Sequence, residues 1–147
     1  MGLQQERTDW LAVAVRAAAA GAAVIRDAAP DIRTLDWRSK GPTDFVSEVD
    51  LAAEAAILAV MGEGVPQATV LAEESAANVP RELLAHGVAI VIDPLDGTTN
   101  FLHGYPEYAV SIAILVDGEP MVGVVHDVPG DEVFTARAGG GAQLNGQ

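Results

Sequence analysis

An α+β fold follows from three features of the sequence. Two helical stretches come first, a series of apolar strand-like runs follows, and the separators within that series are short and rich in turn formers. From about Thr8 to Asp27, the residues Trp10, Leu11, Val13, Ala14, Val24 and Ile25 fall near helical spacing with alanines between them, and Thr8 is the candidate N-cap. The next segment alternates around Ile32, Leu35 and Trp37, which predicts a strand ahead of the break at Gly41 and Pro42. A second helix is expected from about Glu48 to Met61, with Leu51, Ala55, Leu58 and Ala59 facing one way and Gly62, Gly64 and Pro66 ending it. The period then becomes strand-like, first in ATVLAEES. Residues 88–92 read as a strand buried on both faces, and YAVSIAILV, MVGVVHDV and VFTARA follow it. DGEP and PGDE separate these last runs, so an antiparallel meander of hairpins is the simplest pairing.

The chain has 147 residues, enough for one domain with a real core, and half of them are apolar, which excludes a disordered segment. A formal net charge of −13 argues against a nucleic-acid backbone or an anionic membrane surface as the main partner. A cation suits it better. Cysteine is absent, which removes disulfides, zinc-thiolate sites and thiol catalysis and leaves oxygen ligands for any metal; it also suits a cytoplasmic protein. The Ala-rich start is interrupted or flanked by Glu6, Asp9, Arg16, Arg26 and Asp27, so it reads as a soluble helix, not as a leader or a membrane span.

The chemistry concentrates in VIDPLDGTTNF, where Asp93 leaves the buried strand, Pro94 fixes the backbone and Asp96 precedes Gly97. Two carboxylates and the Leu95 carbonyl around one turn make an all-oxygen mouth for Mg²⁺, an ion that takes few protein ligands and shares its octahedron with substrate phosphate. Backbone N–H groups at Gly97, Thr98 and Thr99 would then face the anion. Asp-Pro and Asp-Gly are each ordinary turn pairs when alone. Glu73-Glu74 in LAEES reads, taken by itself, as solvated surface. Ser47-x-x-Asp50 in TDFVSEVD fits a capping box, and spacing does not separate that role from catalysis.

These residues together resemble the inositol monophosphatase family of Mg²⁺-dependent, lithium-sensitive phosphatases. VIDPLDGTTNF stands where that family has W/V-I-D-P-x-D-G-T-x-N-F, and the likeness continues through FLHGYP, VSIAILVDGEPMVGVVHDV and ARAGGGAQLNG, with DFVSEVD and LAEES upstream. The resemblance implies Glu73, Asp93, Asp96 and the carbonyl of Leu95 as Mg²⁺ ligands, with Asp93 shared between two ions. It implies phosphate contacts from the Gly97 and Thr98 amides, and a water-activating pair in Asp50 and the Thr98 hydroxyl. Lys40 and Asp44 match less regular positions near a loop, and catalysis is assigned to neither. His86, His103 and His126 are expected to be packing or surface, and Trp10 and Trp37 core or interface.

The likeness implies the N-terminal half of the αβαβα layered sugar-phosphatase architecture, two helices on an antiparallel sheet, as a single domain over residues 1–147. The family's second signature, W-D-x-A-A-G, whose aspartate completes the second metal site, is missing from this sequence, so the C-terminal αβ half is expected to be absent. Three accounts stay open: a fragment of an active enzyme, a half that assembles with itself or another chain, and a catalytically impaired Mg²⁺-binding or interaction protein. The implied substrate is a small phosphate monoester, inositol monophosphate by default, with histidinol phosphate, fructose bisphosphate and 3′-phosphoadenosine compounds as alternatives. A homodimer is compatible with the resemblance, and the residues themselves do not show one.

Overall fold

The computed structural model describes residues 2–35, 41–75 and 78–147. Trp37 and Lys40 lie outside them. Helix α1 spans Leu3–Thr34 and α2 spans Pro42–Gly64. Strand β1 (Thr69–Ala72) leads through a 3-10 turn at Arg81–Ala85 to β2 (Val88–Asp96), and the short α3 (Thr98–Leu102) precedes β3 (Ala109–Val116), β4 (Glu119–Asp127), β5 (Glu132–Arg137) and β6 (Gly141–Leu144).

Both long helices exceed their expected bounds. Thr8 lies inside α1, whose N-cap is Gly2 and not the expected Thr8. The strand expected over Ile32 is helix instead: α1 runs past Pro30, and Ile32 is buried in the core, so tertiary packing outweighs the backbone hydrogen bond that a proline removes. Helix α2 begins where its sequence is built to begin, with Gly41 at the N-cap, Pro42 next and Asp44 in the first turn. That start places Ser47 and Asp50 well inside the helix and removes the capping-box reading of this pair. Gly62 and Gly64 are both helical, and the chain leaves α2 at Val65, whose N–H donates to the Met61 carbonyl at 2.8 Å.

The six strands form one sheet in sequence order. From β2 to β6 every pairing is antiparallel, as the meander predicts, and the β3–β4 hairpin turns on Asp117 and Gly118, both left-handed. Strand β6, formed from the GAQL stretch after the glycine run, extends the meander beyond the expected strands, and β1 joins β2 in parallel. A parallel pair needs a crossover, and the 3-10 turn at Arg81–Ala85 lies between the two strands in the chain.

Alanine lets the two long helices approach closely. Ala14, Ala17, Ala18 and Ala22 of α1 and Ala53 of α2 are fully buried, and a Cβ on Gly21 would stand 2.8 Å from Ile57 Cδ1. Helix α1 lies over β3 and β4, and α2 over β2. Ile90, Ile92, Val110, Ile112, Ile114, Val122 and Val124 complete the core beneath them, and Trp10 packs against it from the edge. On the opposite sheet face Val125, Phe134 and Leu144 form one cross-strand row and stay at least 40% exposed.

Ile57 is buried completely at the seam between the helices, so Ile57→Ala is expected to cost about 2–5 kcal/mol. Urea denaturation checks this, and a loss well under 1 kcal/mol would show that the seam is not packed as described.

Candidate metal and phosphate site

Three backbone arrangements gather the acids. Parallel pairing sets Ala72 beside Ile92, and the Glu73 N–H still donates to the Ile92 carbonyl at 3.2 Å. The next residue on each strand, Glu73 and Asp93, therefore stand side by side. Along β2, Asp93 pairs with Ser111 and Asp96 with Ala109, so β2 carries one extra residue at this point. Residues three apart on a regular strand face opposite ways. The bulge turns Asp93 and Asp96 to partners two apart on β3, which share a face. The expected turn at Asp93 is thus a continuing strand, with the bend delayed to Gly97. The third contribution comes from α2, whose core-facing stripe includes Val49, Asp50, Ala53, Glu54 and Ile57.

A cleft of about 240 Å³ brings together Asp50, Glu73, Glu74, Thr98 and Thr99. A larger groove, about 650 Å³, begins on the other side of the same turn at Asp96, Gly97 and Asn100. Asp93 lines neither but couples to both sides. Burial pushes its carboxyl well above the ordinary range, aided by a hydrogen bond and repulsion from Glu73 and by Asp96, while the Leu95 N–H, donating to Asp93 Oδ1 at 3.2 Å, opposes the shift. Asp50 is pushed up to about 7, first by burial and then by Glu74, Glu73, Asp93 and Glu54. Glu74 is raised as well, by burial and by Glu73 and Glu54.

Among the described residues no three histidine or carboxylate side chains form a ready-made cation cage. One atom tests the fit of a cation directly: Asp50 Oδ1 is buried and has no hydrogen-bond partner. A buried carboxylate oxygen without a donor, facing other carboxylates, is costly unless something positive meets it. The donors here are oxygens only, which suits Mg²⁺.

Gly97 makes the turn possible. Its φ of +90° is left-handed, and a Cβ there would lie 2.8 Å from the Glu107 carbonyl oxygen. Leu95 is buried, and Thr98 opens α3 beside the cleft. Asp44 is exposed at the start of α2, apart from this group. His86 and His103 are exposed, while His126 is buried and its Nε2 is 3.1 Å from Asp131 Oδ1, so all three are packing or surface as expected.

Glu54 is the site residue that motif reading missed. It is 2% exposed, and its two oxygens accept the N–H groups of Glu74 at 2.9 Å and Ser75 at 3.0 Å. The available signal was its spacing, one helical turn after Asp50 in the apolar run LAAEAAILAV, where a lone acid is out of place.

Over residues 6–147 the sequence matches the inositol monophosphatase family. The chain belongs to that family. A relative named Nus factor SuhB, from Salmonella typhimurium, is 45% identical over 136 residues, which cover 92% of this chain and 50% of the relative. Among solved structures, the extragenic suppressor protein suhB from Bartonella henselae superposes with a TM-score of 0.74 at 34% identity, over 90% of this chain and 50% of that one. Inositol monophosphatase from Anabaena (Nostoc) gives 0.73 at 37% identity, over 92% of this chain and 46% of that one. The chain thus spans about half the length of the family members it matches. No helix among the described residues is long and apolar enough to cross a membrane.

Two outcomes are expected. Because the Asp50 and Asp93 carboxyls are raised in the folded state, folding retains protons that the unfolded chain loses. In chelator, stability should therefore fall as pH rises from about 4 to about 7 and level off above that; thermal melts across this range check the sign, and a rise would refute it. Gly97→Ala should cost more than about 1 kcal/mol, because it adds both left-handed strain and a clash with Glu107. Chemical denaturation measures it.

Proposed function

We propose that the chain carries the cation and phosphate site of a Mg²⁺-dependent phosphate monoester hydrolase, with inositol monophosphate as the leading substrate. The observation that carries this reading is the unpartnered, buried Asp50 Oδ1 among the carboxyls of Glu73, Glu74 and Asp93. Glu73, Asp93, Asp96 and the Leu95 carbonyl are the proposed Mg²⁺ ligands. Bound there, the ion would polarise the phosphoryl group and make water a better nucleophile.

The remaining roles fall to the chain itself. Thr98 and Asp50 line one cleft, so the hydroxyl can orient a water whose proton Asp50 accepts. The Gly97 and Thr98 N–H groups, at the open start of α3, are the proposed donors to the phosphate oxygens. No protein nucleophile is needed, which agrees with a sequence free of cysteine. Histidinol phosphate, fructose bisphosphate and 3′-phosphoadenosine compounds remain the alternative substrates. We place the protein in the cytoplasm on the same cysteine-free composition, as the N-terminal αβ half of the layered family fold.

A second reading, an interaction protein that binds Mg²⁺ without turnover, has its own support. The exposed row Val125, Phe134 and Leu144 offers an apolar contact surface, and relatives carry the name Nus factor.

Phosphate release from a panel of these monoesters with Mg²⁺ tests the first reading. Turnover is expected, falling by more than about 100-fold in Asp93→Asn, since loss of a ligand should exceed the 10–100-fold effect of an outer-shell change. Mg²⁺ uptake without turnover on any substrate would favour the second reading.

A further inference from the structure

We infer that Glu54 is a positioning residue that sets the Glu73–Glu74 turn for the cation site, an inference that rests on the Mg²⁺ reading above. Its carboxylate accepts the Glu74 and Ser75 N–H groups, one on each oxygen, at 2.9 and 3.0 Å. These are the first amides after Glu73, so the bond pair fixes where the chain goes on leaving β1. The Glu73 N–H is already tied to β2 through the Ile92 carbonyl. Glu73 is therefore held from both sides, by the sheet at its own amide and by α2 at the two that follow.

The chemistry of the residue argues for more than packing. Glu54 is 2% exposed, shares the buried stripe of α2 with Asp50, and bonds the turn that carries Glu73 and Glu74, with Asp93 next to Glu73 on β2. A fifth carboxylate is a poor choice for stability alone, since every neighbouring acid repels it. It is, however, the side chain that accepts two separate amides at once; a glutamine of the same shape has one acceptor oxygen and turns an NH₂ toward the other donor. Asp50 sits one helical turn earlier on the same stripe. One helix thus presents Asp50 to the cleft and, through Glu54, fixes the strand end carrying Glu73. A bound cation would also feel the added negative potential.

Glu54→Gln separates positioning from structural support, because a purely structural role moves stability and leaves ion affinity alone. By calorimetry on the full 147-residue chain, the Mg²⁺ dissociation constant is expected to rise about 10–100-fold, as for other outer-shell changes, and the melting temperature in chelator to fall because one buried amide loses its acceptor. A lower melting temperature with an unchanged dissociation constant would overturn the inference. Should the variant not fold, amide exchange on the unaltered chain decides: Glu74 and Ser75 should be protected in chelator and more so with Mg²⁺, and free exchange in both states would overturn it. An unaltered chain that takes up no Mg²⁺ instead defeats the metal reading, and this inference with it.

Discussion

Like charge held together against its own repulsion is the constraint on which this structure turns. Asp50, Glu73, Glu74, Asp93 and Asp96 come from three separate segments; Glu74, Glu73 and Asp93 raise the proton affinity of Asp50, and Glu73 and Asp96 raise that of Asp93. Two unit charges about 4 Å apart near a protein surface repel by about 4 kcal/mol, a sizeable share of the ~5–15 kcal/mol that holds a domain together. The fold therefore has to impose the arrangement, and it does so through backbone geometry. Parallel pairing aligns Glu73 with Asp93, a one-residue bulge brings Asp96 to the same face, and the core stripe of α2 fixes Asp50. In the absence of a cation, the crowding is expressed in raised proton affinity at Asp50, Asp93 and Glu74.

Seen from that cluster, the rest of the fold is support. Helix α2 can present Asp50 and Glu54 because Ile57 and Ala53, on the same stripe, anchor it against the Ala-rich surface of α1. Strand β2 can end in acids because β3 pairs with it on both sides of the bulge and Leu95, inside the bulge, is buried in the core. Beyond the cluster, Arg26 of α1 reaches Asp131 and the Val128 carbonyl, tying the β4–β5 turn to the helix layer. These contacts let a region crowded with carboxylates keep one shape.

Much of this was legible in the sequence, for reasons that can be named. The meander was readable because DGEP and PGDE are strong turn signals between apolar runs, and the acidic strand end was readable because VIDPLDGTTNF is specific. Local rules failed where packing overrode them. The alternation around Ile32, Leu35 and Trp37 points to a strand, yet burial of Ile32 keeps α1 helical. Ser47 and Asp50 look like a cap because the apolar period is first visible near Glu48, whereas α2 begins at Pro42. The bulge at Asp93–Asp96 and the hold of Glu54 on the Glu74 and Ser75 amides depend on pairings distant in sequence, and no local pattern encodes them.

If a divalent cation is what this cluster is built to meet, it must displace the protons that now stand in for it. Potentiometric titration of the chain near pH 7, with Mg²⁺ added in steps, measures that exchange directly. The account predicts saturable proton release as the ion binds, lost when Asp93 is replaced by Asn. Mg²⁺ additions that release no protons and produce no saturation would contradict it.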